Sequence, residues 1–362
     1  MKLVIFGLAL SSSWGNGHAT LWRGLLRALA QGGHSITFFE KDVPYYANNR
    51  DAWPQPANVE LALYTNLQTD EARIARELRD ADAAIVTSYC PEGAAVCDRV
   101  LDSSVPFTCF YDLDTPVTLD ALDGGHAVDY LPAQGLGGFD LVLSYTGGRA
   151  LRALSIRLGA RKVAPLYGFV DPEAHCPSSP DPAFIADLSY LGTYAKDRQP
   201  RLSEFLLKPA RLLPERRFLI GGAMYPKDFP WEPNIYFVRH VPPELHPAFF
   251  ASSRLTLNIT RAAMAAYGWC PSGRLFEAAA CGTPLLSDVW EGLDSFFTPD
   301  EEILFARTAD DVLAALDRTP AELARMARRA RERVLSEHTA AHRALEIEQL
   351  FSHAATPVAA QS

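Results

Sequence analysis

The chain has 362 residues, of which 48% are hydrophobic and 21% are charged, and its net charge is −9. The composition is typical of globular proteins, and the length predicts two domains. The negative charge excludes a generally cationic surface, so nucleic acid is not expected as a partner. No stretch reaches the ~18 uncharged apolar residues of a membrane span, so no integral membrane contact is expected.

The six cysteines form neither a C-x-x-C pair nor the ligand spacing of a zinc site. Disulfides and a metal site are therefore not predicted, and the chain fits a reducing, cytoplasmic compartment. Its opening, Met1–Leu10, has one lysine before a short apolar run, which favours a buried first strand over a signal peptide.

Strand-like apolar runs alternate with helical patterns along the first half, as in the βαβ units of a parallel sheet. Leucines at helical spacing, followed by Gly32 and Gly33, predict a helix between the first two strands. This first domain is expected to span residues 1–170. Its predicted strands are Leu3–Leu8, Ser35–Glu40, Val59–Tyr64, Ala83–Thr87, Pro106–Tyr111, Leu141–Ser144 and Val163–Leu166.

The alternation restarts after the proline-rich stretch 171–180, which predicts a domain boundary there. The second α/β domain is expected to span residues 171–362 and to end in helices, one of which begins at the capping sequence Thr319-Pro320-Ala321-Glu322. Its predicted strands are Leu188–Leu191, Arg217–Ile220, Asn234–Val238, Leu255–Ile259 and Pro284–Ser287.

The loop Ser11–His18 joins the first strand to the first helix. Its glycines, Gly17 among them, let backbone N–H groups approach a ligand at a helix N-terminus that favours negative charge. The loop is long, and Thr20 replaces the third glycine of a dinucleotide fingerprint, so NAD(P) binding is disfavoured. His18 is a candidate general base or phosphate contact, with a helix-capping role as the alternative.

A second candidate segment, Asp112-Leu113-Asp114, follows a predicted strand of the first domain. Two such carboxylates can hold a divalent metal that bridges a nucleotide diphosphate. They can equally accept hydrogen bonds from the backbone of a turn. Both interpretations stay open, and Asp112 is kept as a candidate catalytic residue.

A third segment follows the first strand of the second domain. Gly192 and Thr193 offer backbone and hydroxyl donors, and Lys196 and Arg198 offer positive charge. Together they form a candidate clamp for a diphosphate.

The fourth segment is the most informative. Ser272 and Gly273 begin a predicted helix of small residues, and Arg274 lies near its start, where a guanidinium can pair with phosphate. Glu277, one turn on, can accept both hydroxyls of a ribose. A structural ion pair between Arg274 and Glu277 is the alternative.

These segments resemble the GT-B glycosyltransferases and, within them, the CgeB-like (spore maturation protein) family. The resemblance implies two Rossmann-like α/β domains facing across a cleft, with a C-terminal helix; the first domain holds the acceptor and the second a nucleotide-sugar. It covers nearly the whole chain and rests on Trp14–Thr20, Tyr111–Leu119, Tyr167–Pro172, Leu257–Arg261 and Arg274–Gly282.

The resemblance implies transfer of a hexosyl group from a nucleoside-diphosphate sugar, expected to be a UDP-sugar, to a small molecule, lipid or glycan. Glu277 matches the ribose-binding glutamate, Arg274 and Lys196 match diphosphate contacts, and His240 lies in the segment that matches the base-reading loop. No cofactor and no metal are implied, because helix dipoles and basic side chains offset the diphosphate charge. The expected donor-site residues are Gly17, Gly192, Thr193, Lys196, Arg198, His240, Asn258, Arg261, Ser272, Gly273, Arg274 and Glu277.

Many retaining members of this fold carry a second glutamate eight residues before the first. Trp269 occupies that position here, so neither retention nor inversion is predicted. Three alternatives stay open: a nucleotide-sugar epimerase of the same fold, an NAD(P)-dependent oxidoreductase, and a nucleotide-sugar binding module without chemistry.

Overall fold

A computed structural model describes residues 1–355. They form two compact α/β units, the first comprising Met1–Tyr167 with residues 340–355 and the second Gly168–Thr339. Each unit is built on one parallel sheet, as the alternation of strands and helices predicts. No helix among these residues is both long and apolar enough to cross a membrane.

The sheet of the first unit has seven strands. They are β1 (Lys2–Gly7), β2 (Ser35–Lys41), β3 (Val59–Tyr64), β4 (Ala83–Thr87), β5 (Thr108–Asp112), β6 (Leu141–Ser144) and β7 (Val163–Pro165). Their order is β3-β2-β1-β4-β5-β6-β7. Strands β2 and β3 are added on one side of β1 and β4 to β7 on the other, so the strand order reverses between β1 and β4. The central strands are buried along their length, as in parallel sheets covered by helices on both faces.

Six helices connect these strands. They are α1 (His18–Gln31), α2 (Pro44–Ala47), α3 (Glu71–Arg79), α4 (Gly93–Leu101), α5 (Thr115–Asp123) and α6 (Arg149–Leu158). The apolar face of α1 buries Trp22, Leu25 and Leu29, which explains the leucine spacing seen in the sequence.

The second unit has a six-stranded sheet. Its strands are β8 (Leu188–Leu191), β9 (Phe218–Gly221), β10 (Ile235–Val238), β11 (Thr256–Asn258), β12 (Leu285–Asp288) and β13 (Leu304–Ala306). The order β10-β9-β8-β11-β12-β13 places the reversal between β8 and β11. The edge strand β13 was not among the strands predicted from the sequence.

The α-helices of the second unit are α7 (Gln199–Leu202), α8 (Lys208–Leu212), α9 (His246–Ala251), α10 (Ala262–Tyr267), α11 (Gly273–Ala280), α12 (Ala309–Leu316) and α13 (Pro320–Glu337). The start of α13 matches the capping sequence predicted for it. At the start of α13 the backbone N–H of Glu322 donates to Thr319 Oγ1 at 3.3 Å, and the N–H of Thr319 donates to Glu322 Oε2 at 2.9 Å. The predicted capping box is confirmed.

The last helix, α14 (Ala340–Ala355), packs against α1 and belongs to the first unit. His34 Nε2 lies 2.7 Å from Glu348 Oε1, and Arg343 Nε donates to the carbonyl of Tyr167 at 3.1 Å. The prediction that residues 171–362 form one domain is therefore wrong for this helix. Because α14 follows α13 in the sequence, it was expected in the second domain, but the apolar surface that it packs against belongs to the first unit.

All six cysteines are free; five are buried, and Cys176 is exposed.

Candidate functional site

In the second unit, several polar side chains lie near β8 and β11, where the strand order of the sheet reverses. Ligands of open parallel sheets bind beyond the carboxyl ends of the strands at such a point. The loop after β8 brings Gly192 and Thr193 there, the end of β11 brings Asn258, and α11 starts nearby with Arg274 in its first turn. Four of the predicted donor-site residues are thus gathered at one edge of one sheet.

Arg274 is half-buried and has no carboxylate within ion-pair distance among residues 1–355. Its Nη1 donates to Asn258 Oδ1 at 3.0 Å, and its guanidinium carbon lies 5.2 Å from the centre of the Tyr190 ring. Burial and the nearby Arg198 lower the pKa of Arg274, but an arginine stays charged in proteins. The protein therefore holds a cation in place without neutralising it.

Glu277 lies one turn after Arg274 on α11 and is also half-buried. Its carboxylate accepts no hydrogen bond from any part of the chain that the structure describes. Burial raises the pKa of Glu277, while His246 and Arg274 lower it. The structural ion pair weighed in the sequence analysis does not form, so Arg274 and Glu277, here called the α11 pair, both remain available to a ligand.

The orientation of Arg274 depends on a buried polar chain. Asn258 accepts from Arg274 and donates through Nδ2 to Ser287 Oγ at 3.0 Å and to Thr260 Oγ1 at 3.3 Å. Thr260 in turn donates to Asp288 Oδ1 at 2.9 Å. Asn258 is thus placed to position the guanidinium, a role that sequence spacing did not reveal.

Gly192 is required by close packing at this edge. A Cβ at Gly192 would lie 2.8 Å from Tyr190 Oη and 3.0 Å from Arg274 Nη2, and a Cβ at Gly222 would collide with the carbonyl of Gly192. Thr193 is half-buried, and its carbonyl accepts from Arg198 Nη1 at 3.2 Å. The loop therefore approaches Arg274 closely enough to form one surface with it.

The remaining predicted residues of this unit divide into two groups. Lys196 is exposed and makes no ion pair within residues 1–355, whereas Arg261 is held by Asp197 at 3.5 Å. Ser272 precedes α11 with an extended backbone and no side-chain cap, and Gly273 is the first residue of the helix. The N–H groups of the first turn are thus not taken by the Ser272 hydroxyl. His240 follows β10 and affects the pKa of His246.

In the first unit, His18 is the first residue of α1, beside the sheet reversal between β1 and β4. The ring stands edge-on to Tyr89 with centroids 5.6 Å apart, and its Nδ1 has no hydrogen-bond partner within residues 1–355. Burial lowers the pKa of His18 to about 4, so the imidazole is neutral at pH 7. Gly17 is exposed, with open space around its Cβ position.

Asp112 ends β5 and is fully buried. Its Oδ1 accepts from the N–H of Asp114 at 3.1 Å and from Thr118 Oγ1 at 3.2 Å, which is the turn arrangement considered in the sequence analysis. Oδ2 has no partner in the described part of the chain, and burial raises the pKa of the carboxyl to about 6. Asp112 thus helps to hold the turn that begins α5.

Residues 198–349 match a family model described as glycosyl transferase-like. A search of curated proteins finds no significant match. Solved structures match over nearly the whole chain.

Sucrose-phosphate synthase from Thermosynechococcus elongatus has a TM-score of 0.70 at 15% identity, covering 98% of both chains. HepE of Anabaena, in complex with UDP-glucose, has a TM-score of 0.69 at 12% identity, covering 98% of this chain and 100% of that one. An alpha-glucosyltransferase in complex with UDP-glucose and DNA containing an abasic site has a TM-score of 0.69 at 12% identity, covering 97% and 99%.

At these identities the structural likeness shows the fold, which is the two-unit parallel-sheet architecture expected from the sequence. The family match begins at Arg198 in the second unit, runs through α13 and ends within α14 of the first unit. Residues 198–349 are therefore similar to glycosyl transferase-like proteins, and the whole chain shares its two-unit fold with the matched structures.

Proposed function

We propose that the protein transfers a hexosyl group from a UDP-sugar to an acceptor that is a small molecule, a lipid or a glycan. The α11 pair carries this proposal, because it combines a guanidinium without a counter-ion and a carboxylate without a hydrogen-bond donor in residues 1–355. A diphosphate and a ribose supply both missing partners. UDP-glucose in two of the similar structures supports uracil as the base.

In this proposal, negative charge develops on the diphosphate while the sugar becomes oxocarbenium-like. Arg274, Lys196 and the N-terminus of α11 stabilise that charge, so their contacts strengthen as the glycosidic bond breaks. Such a site needs no metal. Turnover should therefore persist in EDTA, and loss of transfer that Mg²⁺ or Mn²⁺ restores would contradict the proposal.

We assign the general base to His18 rather than to Asp112. His18 is half-buried and neutral at pH 7, the form that accepts a proton. Asp112 is fully buried and already accepts two hydrogen bonds at Oδ1. The acceptor is accordingly placed on the first unit in this proposal.

The narrower resemblance to the CgeB-like family is also kept as a proposal. It is supported by the segments Trp14–Thr20 and Arg274–Gly282, which contain His18 and the α11 pair. The course of the reaction at the sugar stays open, because Trp269 occupies the position of the second glutamate of retaining enzymes.

The test is UDP release from UDP-hexoses with and without a panel of acceptors. Glycosyl transfer predicts release that depends on the acceptor and a product heavier by one hexosyl unit. An epimerase would release UDP and an altered sugar with water as the only co-substrate. A binding module would bind UDP-sugar and release no UDP over hours, and NAD(P)H oxidation would indicate the oxidoreductase; either result would contradict the proposal.

A further inference from the structure

Two histidines distant in the sequence converge on Glu277 within the second unit. His175 lies in the segment before β8, and His246 is the first residue of α9. One potential metal-binding atom from each histidine and from Glu277 lies within 4.8 Å of the others. His175 Nε2 and His246 Nδ1 are 3.3 Å apart. We call these three residues the His–His–Glu cluster.

The tautomer of His246 suits a metal ligand. Its Nε2 lies 3.1 Å from the carbonyl of Val241, which can only accept, so Nε2 carries the proton and Nδ1 turns a lone pair toward His175. A backbone carbonyl on the far nitrogen is the usual support for a metal-binding imidazole. His246 therefore has an oriented lone pair and a fixed ring.

His175 is compatible with the same role. Its side chain is 2% exposed, and its Nδ1 has no hydrogen-bond partner in the described residues. In the metal-free protein His175 Nε2 carries the proton and donates to His246 Nδ1 at 3.3 Å, and a bound metal would replace this hydrogen bond and move the proton to Nδ1.

The distances also fit. In a tetrahedral zinc site with bonds of about 2.0 Å, neighbouring nitrogen ligands are about 3.3 Å apart. The two histidine nitrogens already have this separation. The Glu277 carboxylate accepts no hydrogen bond within residues 1–355, and one of its oxygens lies within 4.8 Å of both histidine nitrogens, so it is the third ligand of the set. Two imidazoles and one carboxylate are ligands suited to zinc and its neighbours.

We propose that the His–His–Glu cluster binds a divalent transition metal of the zinc class and that this metal competes with the nucleotide for Glu277. The first part depends only on the three side chains. The second part rests on the proposed function, in which Glu277 binds the ribose. The metal would then inhibit the enzyme by occupying a residue that the donor requires.

Metal binding is measured by titrating Zn²⁺ into chelator-treated full-length protein by calorimetry, and Co²⁺ with its visible absorption spectrum as the readout of coordination. All variants carry Cys176→Ser, because that exposed thiol can bind zinc on its own. We expect one metal per chain and an affinity at least about tenfold lower in His175→Ala and in His246→Gln. His126→Ala, at an exposed histidine of the first unit, is the matched control.

Competition is measured by UDP calorimetry with and without saturating Zn²⁺. The His175→Ala protein serves as the control for zinc binding to free UDP, since His175 is not among the proposed nucleotide contacts. We expect Zn²⁺ to weaken UDP binding at least tenfold in the parent protein and not in His175→Ala. Equal UDP affinity of both proteins without metal shows that the variant is folded.

Separate outcomes test the two parts. If zinc binds the parent and His175→Ala equally, or if it binds neither, the metal site is refuted. If zinc binds the cluster but leaves UDP affinity unchanged, the competition is refuted. In that case the UDP affinity of metal-free Glu277→Gln decides the donor role separately: an unchanged affinity would refute the ribose contact itself.

Discussion

Both units place acidic side chains near the reversal of a parallel sheet, but the two acids differ in their surroundings. Asp112 in the first unit is fully buried and accepts two hydrogen bonds from its own turn. Glu277 in the second unit is half-buried and accepts none within residues 1–355, and Arg274 beside it has no counter-ion there. Unpaired charges in partly buried positions are costly unless a ligand completes them. The comparison supports the proposed donor site in the second unit.

The largest effect is expected from His18→Ala. General-base assistance contributes about 10²- to 10⁴-fold, so turnover should fall by about that factor. UDP affinity should stay within a few-fold, because the donor contacts of the proposed function, which leave out the predicted Gly17 contact, all lie in the second unit. Steady-state transfer and UDP calorimetry on the same preparation measure the two quantities. An active His18→Ala protein beside a folded, inactive Asp112→Asn protein would move the role to Asp112.

Arg274→Ala and Glu277→Gln should weaken UDP binding by a smaller factor. Loss of a hydrogen bond to a charged group costs about 1.5–3 kcal/mol, which is roughly 10- to 150-fold in affinity. Arg328→Ala on the exposed face of α13 is the control for removing an arginine and should bind UDP normally. Calorimetry with unchanged affinity in both α11 variants would contradict the donor assignment.

The pH dependence of kcat/KM distinguishes the two candidate bases. A base must be deprotonated to act, so activity falls as the pH drops through its pKa. Burial sets the pKa of His18 to about 4 and that of Asp112 to about 6. The account therefore expects a flat profile from pH 6 to 8 and a decline near pH 4. A decline centred near pH 6 that disappears in Asp112→Asn would indicate Asp112.

The smallest effect on UDP binding is expected from alanine substitutions at two glycines, one in each unit. Gly192→Ala places a methyl group 3.0 Å from Arg274 Nη2, so it should displace the guanidinium and weaken UDP binding several-fold. Gly17→Ala adds its methyl group in open space and should leave the UDP dissociation constant unchanged. A reversed order of the two effects would place the nucleotide on the first unit.

Local patterns predicted most of the fold. Four strands, β3, β4, β6 and β8, have the predicted bounds, because each is an apolar run with clear turn residues at its ends. The edge strand β13 was missed, since its three residues are too few for a pattern to emerge beside a charged segment. The packing of α14 on the first unit was also missed, because helix periodicity shows an apolar face but not its partner.

The part of the site that depends on local sequence spacing was also predictable. Arg274 and Glu277 are three residues apart on one helix, so helical spacing alone brings them to neighbouring positions. His175 and His246 are 71 residues apart and meet only through the tertiary fold. The series of hydrogen bonds that links Asn258 to Asp288 likewise connects the ends of two strands, and no local sequence pattern predicts it.

A crystal structure of the protein with UDP tests the central claim most directly. The account predicts the ribose hydroxyls within hydrogen-bond distance of the Glu277 carboxylate and the diphosphate against Arg274 at the start of α11. A nucleotide bound instead at the Gly17–His18 loop of the first unit, with the α11 pair unoccupied, would contradict it.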